Sequence, residues 1–305
     1  MPAVSVMMVC YNAAPTLPWA LGSLLAQTSN DWECIFVDDG STDRSFDIVV
    51  GLGDPRIRAF RFDTNRGRGA ARQFALEQAE GDYLCFLDAD DWMYPWRVQT
   101  ELDFLEAEPK VALVSSGWGI QDSDGNLAGI RGDVNGDKPQ VFSPFTRLRM
   151  PPFPFPPSMI RMRTAKLYKF DPRLRAAEDA AFLIQILSDH SYGILHQSLY
   201  AYSEHLSVTL ERMITDYNFV REIFRNYRAE FPLQSRIKNL EYLAKGLAYR
   251  TAFALKRSEW LVGRRWRIPT PAEVAESQAA RKRVAMVVKE TFGTPVVGAA
   301  RCHSL

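Results

Sequence analysis

The sequence predicts an α/β fold, a mostly parallel sheet flanked by helices, with a helical C-terminal region. Three observations carry that expectation. In the first half of the 305 residues, short apolar runs alternate with segments whose apolar residues recur at helical spacing. Two of those runs end in clusters of aspartate. From about Asp216 onward the apolar spacing is helical throughout.

Val4 to Val9 is an almost unbroken Val and Met run, the pattern of a strand buried on both faces. Tyr11-Asn-Ala-Ala-Pro15 turns the chain into a helix over 16–27, with Leu17, Ala20, Leu21, Leu24 and Leu25 on one face. Trp32 to Val37 is a second strand, ending on Asp38-Asp39-Gly40-Ser41; Ser41 or Thr42 is the expected cap of the helix that runs to Val50. Ile57 to Phe62 is a third, more polar strand. Asn65-Arg-Gly-Arg-Gly69 leads into a helix carrying Ala70, Ala71, Phe74, Ala75 and Leu76. Gly81-Asp82 turns into a fourth strand, Tyr83 to Leu87, which ends on Asp88-Ala-Asp90-Asp91.

Val111 to Ser115 adds a strand, and the Gly-, Asp- and Asn-rich residues 119–140 predict a hairpin or loop excursion. In Met150-Pro-Pro-Phe-Pro-Phe-Pro-Pro157 five of eight residues lack a backbone donor, which excludes helix and central strand and predicts a loop bordering the site. A helix over Asp179–Ser188, a short strand over Ser198–Ser203, and helices over 216–230, 235–257 and 272–291 complete the chain. The expected division is a catalytic domain over 1–210 and a helical region over 211–305.

A net charge of +1 favours no partner, but it is unevenly spread. Leu206 to Leu305 holds eighteen Lys and Arg against nine Asp and Glu, while residues 1–205 hold nineteen against twenty-seven. A basic C-terminal stretch beside an acidic body suits an anionic surface, or a helical face packed on that body. Nucleic acid is not expected, because Tyr227, Tyr242, Tyr249, Trp260 and Trp266 at helical spacing read as core. Cys10, Cys34 and Cys85 lie in apolar runs and no CxxC pair occurs, which predicts a reducing compartment. With neither a signal-peptide pattern nor an apolar stretch of bilayer length, the expected location is the cytoplasm. Lys256-Arg257, Trp260 and Arg264-Arg-Trp-Arg267 would then supply a peripheral contact with the inner face of the membrane.

Ligands of open parallel sheets bind at the carboxyl ends of the strands. Here that edge receives five carboxylates, which repel one another unless a divalent cation or sugar hydroxyls share the site. Mg²⁺ and Mn²⁺ favour such oxygen ligands together with phosphate oxygens. The plainer reading of Asp88 and Asp90 is a turn or helix cap, and of Asp179 an N-cap.

Taken together and in order, several segments resemble glycosyltransferase family 2 of the GT-A fold. They are Val4-Ser-Val-Met-Met-Val-Cys-Tyr-Asn12, Phe36-Val-Asp-Asp-Gly-Ser-Thr-Asp43, Asn65-Arg-Gly-Arg-Gly-Ala-Ala-Arg72, Gly81 to Asp91, Glu178-Asp-Ala-Ala-Phe182 and Tyr202 to Ser207. The resemblance implies an inverting, non-processive, metal-dependent transferase. It would move a sugar from a nucleoside-diphosphate donor, UDP by family frequency, to the hydroxyl of a glycan, lipid-linked or other acceptor in bacterial surface-glycan synthesis. It implies that Asp38 holds the nucleobase with Tyr11 nearby, and that Arg72 lies near the base or diphosphate. Asp88 would contact the ribose, Asp90 the Mn²⁺ or Mg²⁺, and Asp179 would be the general base. His205 would give a further metal or phosphate contact. A Gln-x-x-Arg-Trp stretch after Asp179, the mark of processive members, is absent. A nucleotidyltransferase would want a Gly-rich loop where Cys10-Tyr-Asn-Ala-Ala14 stands; a scaffold that kept only the fold would be expected to lack Asp90 or Asp179.

Overall fold

The double-sided apolar run at the N-terminus becomes the middle of the sheet's parallel half. A computed structural model describes residues 2–122, 124–132, 138–171, 173–174, 177–202, 210–255 and 266–293. Strand β1 (Val4–Cys10) lies between β2 (Trp32–Asp38) and β4 (Tyr83–Phe86), with β3 (Ile57–Arg61) outside β2, all parallel. Helices α1 (Leu17–Leu25), α2 (Ser45–Leu52) and α3 (Arg68–Gln78) make the crossovers. Cys10 pairs with Asp38 and Met7 with Phe86, so Asp38 and Asp88 come out on either side of the end of β1.

Beyond β4 the sheet changes character. β9 (Ser158–Arg161) inserts antiparallel between β4 and β6 (Leu113–Gln121), and β10 (Tyr192–Tyr202) then runs parallel to β6. β5 (Trp92–Met93) and β8 (Gln140–Phe142) add antiparallel to β10. The excursion expected after residue 119 contains a hairpin, with β7 (Leu127–Arg131) antiparallel to β6. β10 begins six residues before the expected short strand, because Tyr192 to Ile194 pair with both β6 and β8. Helices α4 (Arg97–Ala107), α5 (Met162–Ala165) and α6 (Glu178–Asp189) flank this half.

The C-terminal region folds back on the body in two places. α7 (Leu210–Asn226) sets Val220, Ile223 and Phe224 against Ile184 of α6 and Leu148, and pairs with α8 (Pro232–Ala254). α9 (Pro271–Phe292) lays Ala280, Val284 and Val288 on a cluster with Ala26 and Trp92. Gly22 of α1 admits Val288, since a Cβ there would stand 2.2 Å from its methyl. Thr270 and Glu273 form a reciprocal cap at the start of α9, with Pro271 at the first helical position. Cys10, Cys34 and Cys85 are buried with their thiols unbridged. No helix among the described residues is long and apolar enough to cross a membrane.

Candidate active site

The loop after β2 is held by its own acids. Asp38 is fully buried; its Oδ1 accepts from the Ser41 amide at 3.0 Å, and its Oδ2 faces Arg61 Nε at 3.3 Å without a hydrogen bond. Asp39 accepts from the amides of Arg66 and Gly67 at 2.7 and 2.9 Å, which ties the Asn65–Gly69 loop to the strand end. Burial raises the Asp39 carboxyl above its ordinary value, against those two amides. Gly40 has φ +76°, and a Cβ there would meet the Asn65 amide at 2.6 Å, so the turn needs glycine. Ser41 and Thr42 do not cap α2 as expected. Their side chain and amide, respectively, tie down Asn12, and Asp43 instead accepts from the Ser45 amide at 2.9 Å as α2 begins. Tyr11, at the end of β1, is half exposed.

After β4 the chain turns at Asp88–Asp91, with the Asp91 amide bonded to the Asp88 carbonyl at 3.2 Å. No helix starts there, because Trp92–Met93 pairs with β10; the cap reading of these acids falls away and the turn remains. Carboxylate oxygens of Asp88, Asp90 and Asp91 come within 4.8 Å of one another, with Asp88 part-buried, Asp90 exposed and Asp91 buried. The turn is pinned from below by Tyr200, a fully buried residue of β10. Its hydroxyl accepts from the Asp88 amide at 3.2 Å and donates to Asp91 Oδ2 at 2.9 Å.

Arg72 links this turn, at Asp88, to Glu178, ninety residues further along the chain. It stands on α3, almost wholly buried, where Ala71 and Ala75 let the helix lie close on the sheet. Its guanidinium meets Glu178 at 2.6 Å, Asp88 at 3.3 Å and Asp179 at 3.7 Å. The Pro-rich loop contributes as well, since the Phe155 ring lies 5.0 Å from that guanidinium. Glu178 is fully buried with one oxygen unpaired, and burial raises its pKa although Arg72 opposes the shift. Asp179 lies in the first turn of α6, accepting from the Ala180 amide at 2.7 Å; the residue in the N-cap position is Ala177 at φ +58°, so the cap reading of Asp179 fails. An acid in that first turn also suits the helix dipole.

Thus Asp88, Asp179 and Arg72 are brought together, with Asp90 beside Asp88, while Asp38 and Tyr11 lie across the end of β1. His205 lies outside the described residues. Sequence reasoning missed Tyr200, whose surroundings in Ser-Leu-Tyr-Ala-Tyr carry no signal. It also gave Glu178 no role, though its position before Asp179 marked it.

The family model for glycosyl transferase family 2 matches residues 5–173, more than half of the chain. The putative glycosyltransferase EpsE of Bacillus subtilis is 30% identical over 255 residues, covering 81% of this chain and 88% of that protein. The UDP-Glc:alpha-D-GlcNAc-diphosphoundecaprenol beta-1,3-glucosyltransferase WfaP of Escherichia coli is 35% identical over 108 residues, 35% of this chain and 43% of that one. The mannosyltransferase PcManGT from Pyrobaculum calidifontis, solved in complex with GDP-Man and Mn²⁺, superposes with a TM-score of 0.54 at 15% identity. That superposition covers 95% of this chain and 87% of the other, and so extends the shared fold into the C-terminal helices. With the segments around Asp38, Arg72 and Asp88 all inside the matched span, the chain belongs to glycosyltransferase family 2.

Proposed function

We propose that the chain transfers a sugar, with inversion, from a UDP-sugar to a glycan hydroxyl, using Asp179 as general base and a divalent cation at the Asp88–Asp91 turn. The observation that carries this reading is Arg72, which brings the strand-end acids and the Glu178-Asp179 pair to one edge of the sheet.

Three carboxylates within 4.8 Å of each other, graded from buried to exposed, fit a hard cation with oxygen ligands. Asp90, the exposed member, and Asp88 beside it would hold Mn²⁺ or Mg²⁺, which when bound supplies positive charge to the departing diphosphate. Tyr200 fixes the turn through both Asp88 and Asp91. Asp88 also reaches the ribose, and the Oδ2 of Asp38, which faces Arg61 without a hydrogen bond, takes a nucleobase N–H once Arg61 gives way, with Tyr11 beside the ring. Asp179 receives the proton of the acceptor hydroxyl as its oxygen attacks the anomeric carbon and the nucleoside diphosphate leaves. Arg72, 3.7 Å from Asp179, orients that carboxylate for the transfer.

WfaP's name pairs a UDP-sugar with a lipid-linked acceptor, which supports a UDP donor here; PcManGT was solved with GDP-Man and Mn²⁺, which supports only the divalent cation. A lipid-linked acceptor in bacterial surface-glycan synthesis would be met at the membrane, the contact expected of the basic C-terminal stretch. Its Lys256–Arg265 part lies outside the described residues. Calorimetric titration of UDP, GDP and TDP, with Mn²⁺ and with EDTA, tests the donor half. Metal-dependent binding of UDP that is lost in Asp90→Ala is expected; no binding of any nucleotide by the folded protein would overturn it.

A further inference from the structure

Among the described residues, nothing covers one face of α8. Leu233, Leu240 and Leu247 are 69%, 65% and 65% exposed, and Ile237 and Leu243 more than half exposed. At 3.6 residues per turn these five fall in one stripe along the helix. The opposite face, with Gly246 and Tyr249, is the one that packs, Tyr249 and Tyr242 meeting Tyr217 of α7. The apolar stripe therefore points away from the protein's own core.

Charge decides what fits against it. α8 carries Arg236, Lys238, Lys245 and Arg250 against a single acid, Glu241. That acid is held at the flank by Lys238 at 2.7 Å and Lys245 at 2.6 Å. Helical spacing places Arg236 within the stripe and Arg250 at its edge, both exposed. A second copy of this face would bring arginine against arginine with no carboxylate on the stripe to meet them. A surface that is apolar inside and anionic at its rim meets both features. The stripe from Leu233 to Leu247 runs roughly 21 Å, and four basic residues keep such a helix from spanning the bilayer.

We propose that α8 lies flat on an anionic lipid surface, its leucines entering the acyl boundary and its arginines among the headgroup phosphates. This is independent of the transfer site, which lies on the body of the protein.

The full chain is sedimented with vesicles of mixed phosphatidylglycerol and phosphatidylcholine, and with phosphatidylcholine alone, at low and high salt. Binding to the mixed vesicles that salt weakens is expected, about tenfold or more above the neutral ones. Leu240→Gln with Leu247→Gln, at exposed positions, should reduce that binding by about tenfold or more while leaving the thermal melt and the UDP titration unchanged. No vesicle binding, equal binding to neutral lipid, or binding that the double variant retains would overturn the proposal. So would self-association abolished by the same double variant without any lipid binding, which would give the stripe to a second copy.

Discussion

Two buried arginines, Arg97 at the start of α4 and Arg72 on α3, pack against the same sheet and do different work. Arg97 is fully enclosed, and its donors go to Glu101 at 3.1 Å and to the carbonyls of Phe86, Pro156 and Ser158. It ties the end of β4 to the Pro-rich loop and β9, with one carboxylate for its one charge. Arg72 has three carboxylates, two of them about one third exposed. Even with Arg68 3.5 Å from Glu178, the acids there outnumber the cations, an excess that the proposed metal ion and acceptor proton would use. A buried arginine among carbonyls indicates scaffolding; one shared among acids from distant segments indicates a site.

Substitution should separate the two most strongly. Arg97→Met leaves Glu101 buried without its partner and should cost about 3–5 kcal/mol in denaturant unfolding. Arg72→Lys keeps the charge but cannot fork between the acids; transfer should fall by about a hundredfold or more, with the unfolding midpoint much less altered. If the stability and activity losses were reversed between the two variants, the comparison would be wrong.

Tyr200 tests a finer part of it. Tyr200→Phe removes the bond to Asp91 and the acceptor of the Asp88 amide, and should cost about 1–2 kcal/mol of stability. As a positioning residue it should also weaken Mn²⁺-dependent UDP binding by roughly tenfold, a change that loss of packing alone would not produce.

The smallest effect is expected far from the site. Hydrogen bonds from Arg267, then from Thr270, hold the Glu273 carboxyl down to about 2, against an ordinary 4.5. A depressed folded value means stability present above the ordinary value and lost as pH falls through the folded one. Glu273→Gln should therefore flatten the acid limb of unfolding, by about 1 kcal/mol for a partly exposed cap. Unfolding free energies of both proteins at mildly and strongly acidic pH check this; an unchanged slope would leave α9 without its pH-dependent cap.

How much of this was legible depended on whether a residue's job is local. Asp38, Asp88 and Asp90 could be read because strand ends are visible in an apolar run and acids there have few other reasons to gather. The parallel half of the sheet was readable for the same reason. β9 was not, since Ser158-Met-Ile-Arg161 is too short to show a period, and its place between β4 and β6, with Arg97 on the Ser158 carbonyl, depends on distant segments. Arg97 itself, following Pro95-Trp96, reads as a surface residue at a helix start. The coupling of Arg72 to Glu178 spans 106 residues, and no spacing rule reaches that far.

Asp179 is proposed to take the acceptor proton while Asp38, Asp88 and Asp90 hold the donor. Binding of UDP with Mn²⁺ and turnover of the UDP-sugar, measured on Asp179→Asn beside the unaltered chain, test that division most directly. Binding should stay within about threefold of the unaltered chain and turnover should fall by about a thousandfold. Turnover left intact, or binding and turnover lost together, would contradict it.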